Sequence, residues 1–85
     1  MWNDRLRLAA RVEDDWHALS DVERDAVSIA LQKIDDDPIA GAPLKEPLRG
    51  IWSYRVGNLR ILYRLAPEAR VAVILKIQSV EGVRT

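Results

Sequence analysis

Residues 51–63, Ile-Trp-Ser-Tyr-Arg-Val-Gly-Asn-Leu-Arg-Ile-Leu-Tyr, constrain the fold more than any other part of the chain. Two runs of β-branched and aromatic residues flank Gly57-Asn58, and a two-residue Gly/Asn link tolerates the positive φ angles of a tight hairpin turn. The pattern predicts a β-hairpin. With Gly57 and Asn58 as the turn, Val56 faces Leu59, Tyr54 faces Ile61 and Trp52 faces Tyr63, so one face is apolar throughout and belongs to a core. The same count sets Arg55 opposite Arg60 on the other face, with Ser53 opposite Leu62 and Ile51 opposite Arg64. Like charges opposed across a strand pair cost roughly 0.2 to 1 kcal/mol. Two guanidinium groups so placed either splay into water as a solvated face or hold an anion such as phosphate between them.

Eighty-five residues make a single domain, 1–85, with room for one core, about four strands and two helices. The absence of cysteine excludes a disulfide framework and a thiolate metal site. The opening Met-Trp-Asn-Asp-Arg-Leu-Arg lacks the apolar run of a signal peptide, and no window approaches the about 20 apolar residues of a membrane span. These features predict a reduced, soluble, cytoplasmic protein with no membrane partner. The formal net charge of zero hides an asymmetry: residues 1–42 carry five bases against ten acids, and residues 43–85 carry eight bases against three acids. An acidic half joined to a basic half predicts a basic surface for an anionic partner, while the balanced total argues against strong nonspecific nucleic-acid binding.

Along the chain, residues 2–9 alternate, with Trp2, Leu6 and Leu8 on one side and Arg5 and Arg7 on the other, and predict a first strand near residues 5–9. The strand order, and so the face these arginines share, is open. The period then changes: Val12, Trp16 and Leu19 mark one face of a helix over 11–19. Ser20-Asp21-Val22-Glu23 has the form of a capping box and opens a second helix over 21–34, with Val22, Ala26, Ile29 and Ala30 on its apolar stripe, widened by Val27, Leu31 and Ile34. Two helices joined so tightly form an αα-hairpin able to cover one sheet face.

Asp35-Asp36-Asp37-Pro38 ends that helix, because proline cannot continue it. Consecutive aspartates diverge and lack the alternating ligands of a calcium loop, so a solvated acidic turn is the expectation and no metal is. The connection to residue 49 holds Pro38, Gly41, Pro43 and Pro47 and is long enough to predict either a functional loop or an ordered wrap across the surface. Its Lys45 and Arg49 extend the candidate basic face. After the hairpin strands at 51–56 and 59–65, Ala66-Pro67-Glu68-Ala69 predicts a turn, and 71–78 a strand with Val71, Val73, Leu75 and Ile77 on the core face. That register places Lys76 beside Arg60, with Gln78 near the edge. The expected architecture is α+β, in the order β-α-α-β-β-β, with both helices on one sheet face. Trp16, Leu19, Ile29, Tyr54, Ile61, Tyr63, Val73 and Leu75 are the expected core.

Little else carries chemistry. His17 is the one histidine and follows the core-facing Trp16, so no Ser/His/Asp or Cys/His triad can be built. No phosphate loop, dinucleotide fingerprint, zinc motif or internal repeat is present, and no cofactor is expected. The basic face, with Lys45, Arg49, Arg55, Arg60 and Lys76, is the single candidate site.

Residues 44–64, Leu-Lys-Glu-Pro-Leu-Arg-Gly-Ile-Trp-Ser-Tyr-Arg-Val-Gly-Asn-Leu-Arg-Ile-Leu-Tyr-Arg, resemble the RelE/ParE superfamily of bacterial and archaeal toxins, and the similarity extends over about residues 6–77. The resemblance implies an antiparallel sheet with two packed N-terminal helices and a cognate antitoxin, acidic and partly disordered, that wraps the toxin. RelE-like members cut messenger RNA in the ribosomal A site, and ParE-like members poison DNA gyrase. By the resemblance, Arg60 matches an arginine that the ribonucleases use on the messenger phosphate, and Arg55 a basic position of the same hairpin, which makes both candidate catalytic residues of a ribosome-dependent endoribonuclease. Two departures bear on this. Ile51 and Ser53 stand where the ribonucleases often carry lysines, and residues 78–84, Gln-Ser-Val-Glu-Gly-Val-Arg, lack the basic run and tyrosine of their C-terminal strand. The resemblance therefore leads to messenger cleavage, with a gyrase poison or an attenuated toxin that only binds its antitoxin as alternatives.

Overall fold

The structure is a computed structural model and describes residues 6–66 and 71–80. Its elements are β1 (Leu6–Leu8), α1 (Ala10–His17), α2 (Asp21–Asp36), β2 (Ala42–Pro43), β3 (Ile51–Val56), β4 (Leu59–Ala66) and β5 (Val71–Ser79). The strands form one sheet in the order β1-β5-β4-β3-β2. The expected α+β architecture is present, with the meander of β3, β4 and β5 antiparallel. The sheet as a whole is mixed, because β1 joins β5 in parallel. The first strand is shorter than expected, and Trp2, Asp4 and Arg5 lie outside the described residues, as does most of the turn after Ala66.

The hairpin register is the one its sequence predicts: Val56 pairs with Leu59, Tyr54 with Ile61, Trp52 with Tyr63 and Arg55 with Arg60. Gly57 supplies the turn with φ of 56°. Ile61 and Tyr63 are fully buried, and Trp52, Tyr54 and Val56 pack against the core from its edge.

The helices cover that face. α2 opens on the capping box: Ser20 Oγ accepts from the Glu23 amide at 3.1 Å, and Glu23 Oε1 accepts from the Ser20 amide at 2.8 Å, an arrangement worth about 1 kcal/mol. Arg24 then reaches back to α1, donating from Nε to Trp16 O at 3.1 Å and from Nη2 to His17 O at 2.9 Å. Trp16 O also accepts from the Leu19 amide at 3.1 Å, so Arg24 adds a second donor there, supplies one to His17 O at the end of α1, and fixes the angle of the αα-hairpin. At the sheet, Asp15 Oδ2 accepts from the Ile77 amide at 3.0 Å where β1 no longer runs alongside β5, satisfying a sheet-edge donor.

The burial differs from the expectation in four places. α2 buries Val27, Ala30, Leu31 and Ile34, whereas Val22 is 78% and Ile29 61% exposed. Apolar residues surround more than half of this helix, so periodicity alone does not select the buried arc; packing on the sheet selects the one holding Leu31 and Ile34. In β5, Leu62 pairs with Lys76 but Tyr63 with Ile74, which leaves Leu75 as an extra residue. A bulge reverses the parity of the strand, so Ala72, Ile74 and Ile77 enter the core while Val73 and Leu75 are only half-buried. Trp16, Leu19 and Tyr54 are also half-buried, because they rim the core instead of filling it. Finally, the acidic segment is not all solvated: α2 continues through Asp36, and Asp35 is fully buried.

The long connection does wrap the sheet in order. Its fixed point is Tyr63, whose hydroxyl donates to Pro38 O at 2.9 Å and accepts from the Gly41 amide at 3.0 Å. From there the chain pairs Ala42 with Ser53 and Pro43 with Trp52 as the short edge strand β2, which the sequence did not announce.

Candidate functional site

The helices occupy one face of the sheet, and the other carries the arginines. Register builds that face in rows. Arg55, Arg60 and Gln78 form one row, Ser53, Leu62 and Lys76 the next, and Ile51, Arg64, Val73 and Arg7 the third. Lys76 therefore stands beside Leu62, and Gln78 takes the place beside Arg60 that the expected register gave to Lys76. The two-residue difference follows from Ile77 pairing with Ile61 instead of Leu59.

Arg60 sits at the centre of its row. The residue is half-buried, and Nε is buried with no hydrogen-bond partner among the described residues. A buried donor left unpaired costs about 1 to 3 kcal/mol, more for a charged group. Arg55 is exposed and folds toward the turn, donating from Nε to Gly57 O at 2.8 Å, which leaves its terminal nitrogens near the hairpin tip.

The other predicted cations are not brought to this row. Lys76 Nζ lies 3.7 Å from Asp15 Oδ1, an ion pair between partly shielded groups. Arg49 Nε lies 3.2 Å from Glu46 Oε2 on an exposed turn that also carries Lys45, whose carbonyl accepts from Leu48. Sequence reasoning did not name Arg64 and Arg7 as site residues. Arg64 shares the parity of Arg60 and was readable from it; Arg7 needed the parallel pairing of β1 with β5. The ring side chains lie elsewhere: Trp52, Tyr54 and Tyr63 face the helices, and the exposed His17 is on α1, 3.9 Å from Glu13. Among the described residues no group of three His, Asp or Glu side chains is placed to hold a metal ion.

On the helix side an open apolar groove of about 690 Å³ runs between α1 and α2, lined by Leu8, Val12, Trp16, Leu31 and Ile77, with Glu13 at its rim.

The fold has relatives. Residues 4–82 match the family described as ParE toxin of type II toxin-antitoxin system, parDE. The chain belongs to this family of toxins. The toxin is similar to the Mycobacterium tuberculosis toxin-antitoxin complex RelBE2, at 30% identity and TM-score 0.80 over 87% of this chain and 94% of that one. It shares its fold with the Agrobacterium tumefaciens YoeB/ParE toxin, at 20% identity and TM-score 0.74 over 88% and 96% of the two chains. The Escherichia coli RelBE complex gives 16% identity and TM-score 0.75 over 87% and 93%. No curated protein matches the toxin. Among its described residues no helix is long and apolar enough to cross a membrane.

Proposed function

We propose that the toxin arrests translation in the cytoplasm by seating ribosome-bound messenger RNA on the row of Arg55, Arg60 and Gln78. The observation that carries this is the row of Arg55, Arg60 and Gln78 on a sheet face that neither helix covers among the described residues. The two terminal nitrogens of one guanidinium form a planar fork that fits two oxygens of a phosphate. In a partly water-excluded place such a contact is stronger than in bulk solvent. If the messenger is cut there by attack of a ribose 2′-hydroxyl on the adjacent phosphate, charge grows on the non-bridging oxygens, and Arg60 with Arg55 stabilises it. Removal of the hydroxyl proton and protonation of the leaving oxygen also need a base and an acid. Among the described residues the rows named above offer no carboxylate or imidazole for this; they contribute binding and charge stabilisation.

Inhibition of DNA gyrase is the second reading, and one observation favours it: the arginines are interleaved with Leu62, Ile51 and Val73 while the rings that would stack on bases face the helices. A mixed apolar and cationic face suits a protein surface. The two readings separate on induction of the toxin in cells. Messenger 5′ ends mapped on ribosomes should show cuts or pauses in codon register, lost at least tenfold in Arg60→Ala and kept in Arg11→Ala, which changes an exposed arginine of α1. Trapped DNA breaks with purified gyrase and no codon-register signal would replace this reading by the second. Neither signal, with antitoxin binding intact, would leave an attenuated toxin.

The toxin is held silent by a cognate antitoxin, as the complexes named above suggest. An acidic, partly disordered segment suits the arginines, and an apolar segment suits the groove between α1 and α2; ordering such a segment is offset by the apolar surface it buries. Leu8, 44% exposed at the groove, is the probe. Leu8→Glu should weaken antitoxin binding about tenfold or more in titration calorimetry, and unchanged affinity would remove the groove from the interface.

A further inference from the structure

We infer that the groove between α1 and α2 takes a basic amphipathic helix of the antitoxin, whose cations meet Glu13 on one wall and Asp25 and Asp36 along the other. This rests on the groove being the antitoxin's seat, as proposed above, and adds the charge of the segment that fills it. Glu13 of α1 lines the groove, exposed, above an apolar floor that includes Val12, Trp16 and Leu31. On α2, Asp25, Ser28, Gln32 and Asp36 follow one another at helical spacing; Ser28 and Gln32 line the groove, and an exposed acid stands at each end of the stripe. Gln32 Nε2 donates to Asp36 Oδ1 at 3.2 Å, which ties that acid to the groove edge. No lysine or arginine among the described residues lines either wall. By helical spacing Arg11 stands across α1 from Glu13, and Lys33 across α2 from Leu31, while Arg24 is engaged by Trp16 O, His17 O and Asp21. His17 lies 3.9 Å from Glu13 in an exposed contact, which is too weak to withhold Glu13 from a partner.

Charge then sorts the segments of the antitoxin between the two faces of the toxin. The helices expose the acids Glu13, Asp14, Asp21, Asp25 and Asp36 against the bases Arg11 and Lys33, whereas the rows on the other face of the sheet carry arginines and Lys76 and no acid. An acidic segment laid in the groove would meet like charge on both walls. A basic segment laid on the arginine rows would meet the same opposition. One chain that covers both faces therefore keeps its charges apart, a basic helix with an apolar stripe for the groove and an acidic stretch for the sheet. The apolar floor supplies affinity, and the acids of the rim set the orientation and the rate of docking.

The test is titration of the full-length toxin with its purified cognate antitoxin at low and at high salt. Glu13→Lys combined with Asp36→Lys should weaken binding about tenfold or more at about 0.1 M salt and far less at about 1 M, where the charges are screened. Glu13→Gln, which removes the charge and keeps the shape, should give a smaller loss of about threefold with the same salt dependence. Asp14→Lys makes an equal change of charge on α1 outside the groove lining and should leave the affinity within about twofold. Leu8→Gln takes apolar surface from the groove without adding charge and should weaken binding at both salt concentrations, which reports the seat itself. Loss in Leu8→Gln with none in the charge variants would keep the groove as the seat and overturn the inference, and loss in neither would overturn both. An equal loss in Asp14→Lys, or a tighter complex in Glu13→Lys, would overturn the inference as well.

Discussion

Gly41→Ala should destabilise the toxin by about 3 kcal/mol, from overpacking and broken hydrogen bonds together, and lower the thermal midpoint by roughly 15 °C for a domain of this size. A Cβ on Gly41 would stand 2.6 Å from Tyr63 Oη, 2.7 Å from Ser53 O and 3.2 Å from Ser53 C. Two of those three atoms are backbone of β3 and cannot turn away as a side-chain tip can. Relief requires the connection to lift from the sheet. Lifting breaks the Gly41 amide to Tyr63 hydroxyl bond and, through the same hydroxyl, strains the one to Pro38 O. It also loosens β2, which pairs with Ser53 and Trp52 on the strand that carries Arg55. Toxicity should therefore fall with stability, although no atom of the arginine row is altered. Thermal unfolding followed by circular dichroism is the measurement, and a midpoint within a degree or two of the parent would show that residue 41 does not approach the sheet this closely.

Most of what positions the arginine row was legible in residues 51–63. Trp52, Tyr54, Val56, Leu59, Ile61 and Tyr63 all fall on one face, the turn residues suit a tight link, and a slip of one residue would expose Tyr63 and Ile61, so this register was the one to expect. The capping box was legible for the same kind of reason, since its residues lie three apart and need nothing from the rest of the chain. What was not legible depends on distant partners. β5 reads Val-Ala-Val-Ile-Leu-Lys-Ile, a run so uniformly apolar that either parity fits, and the bulge at Leu75 that reverses it is decided by pairing with β4. The place of Arg7 waited on β1 finding β5, two strands at opposite ends of the sequence. α2 presented two usable apolar arcs, and only docking on the sheet showed that Ile29 belongs to the one left outside.

The connection shows a further limit. Its length, prolines and glycine left a functional loop or an ordered wrap open, and nothing local indicated that a tyrosine 22 residues on would receive Gly41. That dependence can be measured at the tyrosine itself. Tyr63→Phe keeps the ring, and with it the stacking on Trp52 at 6.3 Å and 26°, but it removes the hydroxyl that joins Pro38 O to the Gly41 amide. Leaving those two backbone groups unpaired should cost about 1 to 3 kcal/mol, less than the clash at Gly41. The pH dependence identifies the hydroxyl directly. Burial, chiefly, and to a smaller extent Asp37 and Tyr54, raise the Tyr63 hydroxyl above its ordinary 10.0, against the opposing pull of the Gly41 amide. The folded chain therefore keeps this proton more tightly than the unfolded chain. The associated stability is fully present below about pH 10 and is lost as pH rises from there toward the folded value. Urea midpoints of the parent and of Tyr63→Phe, compared from about pH 8 to about pH 11, should converge as the parent loses this contribution and the variant, having no hydroxyl, does not. Parallel curves across that range would mean that the phenol is not held protonated by its burial beneath the connection.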